Sequence, residues 1–174
     1  MDIKLSNYDF SYDPVKAISE DKAKGKTAEI FSDIRKTMNI PLVTSIWRGL
    51  ADMNNSLEDV WVLTKPIYLS GIPELALKKM INSVRLPLPN KFNHKEFNQK
   101  DIKNIREIIK VYNKSNGMNL MALSAFISSE YKPSINIINT NIKKNILTPK
   151  FPRLLDKEEI SIETWDIVKN INSI

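Results

Sequence analysis

The segment from residue 40 to 52, IPLVTSIWRGLAD, carries the side chains most suited to acid–base or anion chemistry. Thr44, Arg48 and Asp52 recur every four residues, which places them on nearly one line of a helix. Arg48 could hold a carboxylate with its planar fork, and Asp52 is the candidate general base. The alternative is local: Arg48 and Asp52 form a surface ion pair at i,i+4 spacing, or Asp52 is a capping or surface acid.

The start of this helix is a candidate anion site. Pro41 suits the first helical turn, where its missing N–H costs nothing. The free N–H groups of that turn favour an anion, and the hydroxyls of Thr44 and Ser45 add donors. The alternative is an ordinary helix start that is capped by solvent or faces the core. The opposite side of the same helix is predicted to form its core face, with Val43, Ile46, Trp47, Leu50 and Ala51.

Composition restricts the other chemistries. The chain has 174 residues, 42% of them hydrophobic, which suits one domain with a real core. The absence of cysteine excludes disulfides, thiolate metal sites and cysteine nucleophiles. His94 is the single histidine, which argues against a histidine-based metal site. We therefore expect no metal and no cofactor.

The net charge of +6 raises the question of nucleic-acid binding. The cations are mostly lysines scattered among acids, as on a solvated surface, so we expect no nucleic-acid partner. The first residues, MDIKLSNYDFSYDP, lack the apolar segment of a signal peptide. No apolar run approaches the roughly 20 residues of a membrane span. These features predict a cytoplasmic protein without a membrane partner.

The elements that must position these residues read as helices. A stripe of apolar residues predicts a first helix over 27–38, and the segment 40–52 supplies the second. Ser56 is the predicted N-cap of a third, with Asp59 at the capping-box position. Pro66 should kink or split that helix. A further helix follows Gly71, with its inward residues predicted to be Leu77, Met80, Ile81 and Val84.

The second half of the chain predicts two more central helices. Ile102, Ile105, Ile109 and Tyr112 give residues 101–112 an amphipathic period, and the sequence NKSNG at 113–117 should end that helix. The apolar run after Gly117 predicts a buried central helix, and Asp156 begins the last one. The fold class is thus all-α with seven to eight helices. We expect residues 1–24 to form an arm, 25–135 a helical domain, and 136–174 an extended arm with a C-terminal helix that packs on the same domain or on a partner subunit.

Three segments together resemble the group I 2-haloacid dehalogenase family. They are AEIFSDIRKTMNIPLVTSIWRGLA at 28–51, PLPN at 87–90, and REIIKVYNKSNGMNLMALSAFISSE at 106–130. The resemblance implies an all-helical protein acting on small 2-halocarboxylic acids. Family members contain two similar repeats that pack as a pseudo-dimer around the active site, and this chain resembles one repeat. The resemblance therefore implies that two copies of this chain form a two-fold homodimer. The helix after Gly117 and the helix at 43–53 are the expected interface.

The resemblance also implies a set of site residues. Asn116 matches a pocket-lining asparagine of the family, and Asn113 occupies the other asparagine position of the same pattern. Leu42 and Ser45 fall where the family has small pocket-lining aromatics. The family's base, an aspartate that activates water for direct attack at the α-carbon, falls at Ile46. No acid lies between residues 39 and 51, so this chain resembles the repeat without the base.

Two functions follow as expectations. The first is a 2-haloacid dehalogenase-like protein that hydrolyses or binds a small 2-substituted carboxylic acid. Its predicted binding residues are Leu42, Thr44, Ser45, Arg48, Asn113 and Asn116, with Asp52 as the substitute base. The second is a non-catalytic homodimeric helical protein that binds a small acid or a protein partner.

Overall fold

The computed structural model describes residues 17–85, 98–128, 149–152, 155 and 157–172. The described residues form six α-helices and one short 3-10 turn, without strands, so the all-α prediction is confirmed. The number of helices in this part of the chain differs slightly from the seven to eight predicted for the whole. The helices are α1 (Gly25–Met38), α2 (Ser45–Ala51), α3 (Ser56–Leu69), α4 (Ile72–Ser83), α5 (Gln99–Ile127) and α6 (Ile162–Asn172); the 3-10 turn is Lys157–Glu159.

The core lies where α1, α2, α3 and α5 meet. Its centre is an aromatic cluster in which Trp47 of α2 stands edge-on to Trp61 of α3, with ring centroids 5.3 Å apart. Tyr68 completes the cluster, 5.7 Å from Trp61 and 6.2 Å from Trp47. Other apolar side chains complete this core, namely Phe31, Ile34 and Met38 from α1 and Met118 and Ala122 from α5. The prediction that Trp47 lies on the core face of the second helix is confirmed.

The predicted helix start at Pro41 is wrong. Residues 40–44 are buried but not helical, and α2 begins at Ser45 with Thr44 as its N-cap. The reason is tertiary. The Val43 N–H donates to the carboxylate of Glu20 at 2.6 Å, and the Thr44 hydroxyl accepts a hydrogen bond from α5. These bonds tie residues 43 and 44 to Glu20 and to α5, and Thr44 keeps extended backbone angles as the N-cap of α2.

The third helix departs from prediction at both marked positions. Asn55, in the left-handed region at φ 55°, is the N-cap, so Ser56 is the first helical residue rather than the cap. Pro66 does not split α3, which continues to Leu69. Proline removes only the bond to the carbonyl of Val62. That residue is exposed, so water can replace the lost bond.

The predicted break at 113–117 is also wrong, because α5 runs through it for 29 residues, about 43 Å. Its start is capped by Asn98, whose side chain accepts from the Asp101 N–H at 2.9 Å. Gly117 lies in the middle of the helix and faces α4. A Cβ added there would lie 2.5 Å from Cδ1 of Leu77. The glycine therefore lets the two helices approach, and it does not end one.

Several residues predicted to face inward are exposed, among them Ile81, Val84, Ile105, Ile109 and Tyr112. The N-terminal half of α5 instead buries Val111, in a small cluster with Leu42 and Phe151. The segment 149–152 is held there by Asn104, whose side chain bonds both the N–H and the carbonyl of Lys150. The rotation of α5 is thus set by its neighbours.

Some predictions fall outside the described residues. These are the PLPN segment at 87–90, His94, most of the N-terminal arm, and the boundary at residue 135. The part of the C-terminal region that is described ends in α6, which begins six residues later than Asp156. Among the described helices, none combines the length and apolarity required to cross a bilayer.

Candidate functional site

A groove of about 580 Å³ lies between α2, the N-terminal half of α3 and the C-terminal half of α5. This is within the range of volumes typical of small-molecule sites. Its walls are mainly aliphatic and include one aromatic side chain, Phe126, and its polar lining comes from Thr44, Ser45, Asn116, Asn119 and Ser124. The described residues that line it include hydroxyls and amides but no ionisable side chain.

Asn119 organises the floor of this groove. The residue is buried, and its Oδ1 accepts hydrogen bonds from Trp47 Nε1 at 3.1 Å and from the Tyr68 hydroxyl at 3.0 Å. Its Nδ2 donates to Thr44 Oγ1 at 2.8 Å. The indole N–H can only donate, which fixes the orientation of the amide. Burial raises the pKa of Tyr68, so its hydroxyl stays protonated and remains a donor.

Three of the predicted site residues, Thr44, Ser45 and Asn116, line the groove. The structure does not bring the other four to it. Leu42 packs against Val111 and Phe151. Asn113 is exposed elsewhere on α5 and Asp52 is the exposed C-cap of α2, while Arg48 is buried on another side of that helix. The roles of these residues in binding remain predictions.

Arg48 faces the segment before α1. Its Nε donates to the Ile18 carbonyl at 3.0 Å, and its charge acts on Glu20. Glu20 is buried, with its carboxylate bonded to the Arg35 guanidinium and to the Val43 N–H. Burial raises the pKa of Glu20, and the Val43 amide, Arg35 and Arg48 offset this only in part. The groups predicted to receive a substrate carboxylate thus surround a carboxylate of the protein itself.

The predicted line Thr44–Arg48–Asp52 is therefore not one surface. Thr44 belongs to the groove, Arg48 to the contact with residues 18–20, and Asp52 to solvent. Ile46, which was predicted to face the core, is 46% exposed and lines the groove. The position that the resemblance assigns to the family's base thus faces the groove, and it carries a side chain that cannot accept a proton.

A second, smaller cavity of about 230 Å³ between α1 and α3 contains acids. Asp33 lies there and accepts from Trp61 Nε1 at 2.8 Å, with Lys65 Nζ 2.7 Å away. Partial burial acts to raise the pKa of Asp33, but the bonds from Lys65 and Trp61 outweigh it and leave that pKa below its usual value. A carboxylate stabilised in its ionised form is a weak base, so this cavity does not supply the missing group.

The sequence analysis missed Asn119, which hydrogen-bonds to Thr44 of the groove and to Trp47 and Tyr68 of the core. Its signal was present as an asparagine within the apolar run MNLMALSAF at 118–126. A polar residue inside an otherwise buried helix must find hydrogen-bond partners. Its partners come from α2 and α3, at separations of 51 to 75 residues along the chain.

No family model and no curated protein matches this chain. A solved structure does, with a TM-score of 0.58 and 13% identity: the complex of a D-2-haloacid dehalogenase mutant with D-2-CPA. The match covers 91% of this chain and 60% of that one, so the chain spans about 60% of its neighbour's length. At this identity the similarity shows the fold alone, a haloacid dehalogenase-like arrangement of helices.

Proposed function

We propose that this chain binds a small carboxylic acid with an apolar substituent at its second carbon, in the groove between α2, α3 and α5, without hydrolysing it. The observation that carries the proposal is the groove lining of hydroxyls, amides and aliphatic groups, without an ionisable side chain among the described residues. The haloacid dehalogenase-like fold supports the ligand class, since the related structure contains D-2-CPA.

The groove offers donors for a carboxylate and a wall for the substituent. Asn116 and Ser45 are exposed on facing helices, and their side chains can donate to an anion. The Thr44 hydroxyl accepts from Asn119 and keeps its own proton to donate. Ile46 and Leu120 supply aliphatic contact area for the substituent.

Hydrolysis by a group I 2-haloacid dehalogenase mechanism is the second candidate, and only the fold favours it. Water attack at the α-carbon requires a general base within hydrogen-bond reach of that water. Asp52 lies at the opposite end of α2 from Thr44, about 12 Å along the helix. We expect no base at the groove and therefore no halide release.

The test measures binding and reaction in the same samples. Purified protein is titrated with both enantiomers of 2-chloropropionate and with propionate, by ligand-observed NMR, while free chloride is measured. We expect saturable binding of 2-chloropropionate without chloride release. Asn116→Ala and Ser45→Ala should each weaken binding by about three- to tenfold, because each removes one hydrogen bond to the anion.

Asn113→Ala is the matched control, since Asn113 is an exposed asparagine of α5 outside the groove. It should bind as the wild type does. Binding that is unaffected by Asn116→Ala and Ser45→Ala would place the ligand elsewhere. Chloride release at a rate above buffer would instead establish the hydrolytic candidate.

A further inference from the structure

A stripe of mostly exposed apolar residues runs along α5 on a side that the described helices leave largely uncovered, although Tyr112 contacts Phe151. With Asn116 counted at their centre, its members follow one another at intervals of three and four residues, the spacing of a helix–helix contact seam. They are Ile105, Ile109, Tyr112, Leu120, Leu123 and Ile127, with Leu123 partly buried and the others exposed. Asn116 occupies the central position of the stripe and is exposed as well.

The stripe is symmetric about Asn116. Tyr112 and Leu120 lie four residues to either side of it, Ile109 and Leu123 seven, and Ile105 and Ile127 eleven. In a two-fold contact between identical helices, residue i of one copy meets residue j of the other, and j meets i. An antiparallel α5 pair centred on Asn116 therefore sets every apolar residue of the stripe against another.

The charges of α5 favour the same orientation. Its N-terminal part, to residue 114, holds five cations and two acids, whereas residues 115–127 contain no charged side chain. A parallel pair would place the basic halves side by side, while an antiparallel pair places each basic half beside an uncharged one. The polar Asn116 at the centre of an apolar seam is the type of residue that fixes register.

We propose that two copies of this chain associate through antiparallel α5 helices with Asn116 on the two-fold axis, so that each copy closes the groove of the other. Asn116, Leu120, Leu123 and Ile127 line the groove. In this arrangement Tyr112, Ile109 and Ile105 of the second copy lie over them. The inference deepens the proposed function. The role of the closed groove rests on that function, whereas the dimer itself does not.

The first test uses single-cysteine variants of the full chain, which contains no cysteine of its own. Under mild oxidation Asn116→Cys should give a disulfide-linked dimer, because the axis brings this position against itself. Ile105→Cys should not, since antiparallel pairing separates the two copies of residue 105 by 22 residues of helix, about 33 Å. Asn82→Cys, at an exposed position on α4, measures random collision.

The second test measures association by sedimentation velocity over a range of concentrations. Leu120→Glu should weaken dimerisation at least tenfold. Leu63→Glu is the matched control, because Leu63 is 60% exposed on α3 and Leu120 is 54% exposed. It should change the dimerisation constant less than threefold.

Three results would each overturn the dimer: a wild-type chain that stays monomeric at about 100 µM, equal cross-linking at residues 105 and 116, or equal effects of the two glutamates. None of these assays contains ligand. Their failure would leave acid binding by the monomer intact, and a failure to bind acids would leave the dimer intact.

Discussion

Replacing Asn119 by leucine should destabilise the fold strongly, although the two side chains are similar in size. The change removes the acceptor of two buried donors, Trp47 Nε1 and the Tyr68 hydroxyl, and the donor to Thr44. Leucine is normally favoured at a buried position, so hydrophobic burial alone predicts a higher free energy of unfolding. The hydrogen bonds predict the opposite sign.

The magnitude follows from the groups left without partners. A buried donor without an acceptor costs about 1–3 kcal/mol, and Asn119→Leu leaves two. Thr44 borders the groove and can bond to water there, so its loss adds little. Leucine regains some free energy by packing. We expect the free energy of unfolding to fall by about 3 kcal/mol, a large part of the 5–15 kcal/mol typical of a domain.

Urea unfolding followed by tryptophan fluorescence measures this change. Asn113→Leu, on an exposed face of the same helix, is the control and should stay within about 0.5 kcal/mol of the wild type. Tyr68→Phe removes one of the two donors. In that background Asn119→Leu should cost about 1 kcal/mol less than in the wild type, because the two sites share a hydrogen bond.

A loss below about 1 kcal/mol for Asn119→Leu would refute the reasoning. So would additivity with Tyr68→Phe, because it would mean that the amide does not connect the two aromatic donors.

Three further predictions concern the rest of the fold. The folded-state pKa of Glu20 lies above 4.5, so its stabilising contribution is present below pH 4.5 and is lost as pH rises through that folded pKa. The stability of the wild type relative to Glu20→Gln should therefore decline from pH 4.5 upward in urea titrations. A difference in stability between the two proteins that does not change with pH would contradict the raised pKa of Glu20. Gly117→Ala should lower the free energy of unfolding by about 1 kcal/mol, because overpacking against Leu77 outweighs the better helix propensity of alanine. Leu77→Ala in the same chain should abolish that loss, and a stabilised Gly117→Ala would show that α4 does not approach so closely. Asp52→Asn should change neither stability beyond about 0.5 kcal/mol nor acid binding by NMR, and a loss of binding would return Asp52 to the site.

The helical class could be predicted from the sequence because it rests on local periodicity. No tertiary partner is needed to recognise the apolar stripe of α1 or the regular spacing of large apolar side chains in α3. The wrong helix boundaries were predicted at residues whose type is compatible with two different structural roles. Gly117 can end a helix or admit a neighbouring one, and Pro66 can break a helix or lie harmlessly in its last turn. Only the packing of α4 and the exposure of α3 decide between these uses.

Some features of the candidate site could likewise be predicted from the sequence, and others depend on tertiary contacts. The sequence was enough to exclude cysteine chemistry and to show that no acid precedes residue 52 on α2, since both depend on composition alone. It also marked Thr44, Ser45 and Asn116, which do meet at the groove. It could not show that Arg48 turns toward Glu20, or that Asn119 joins three elements, because those contacts connect residues 28 to 75 positions apart. Local spacing fixes which side chains share a helix face, and only the tertiary fold determines what that face meets.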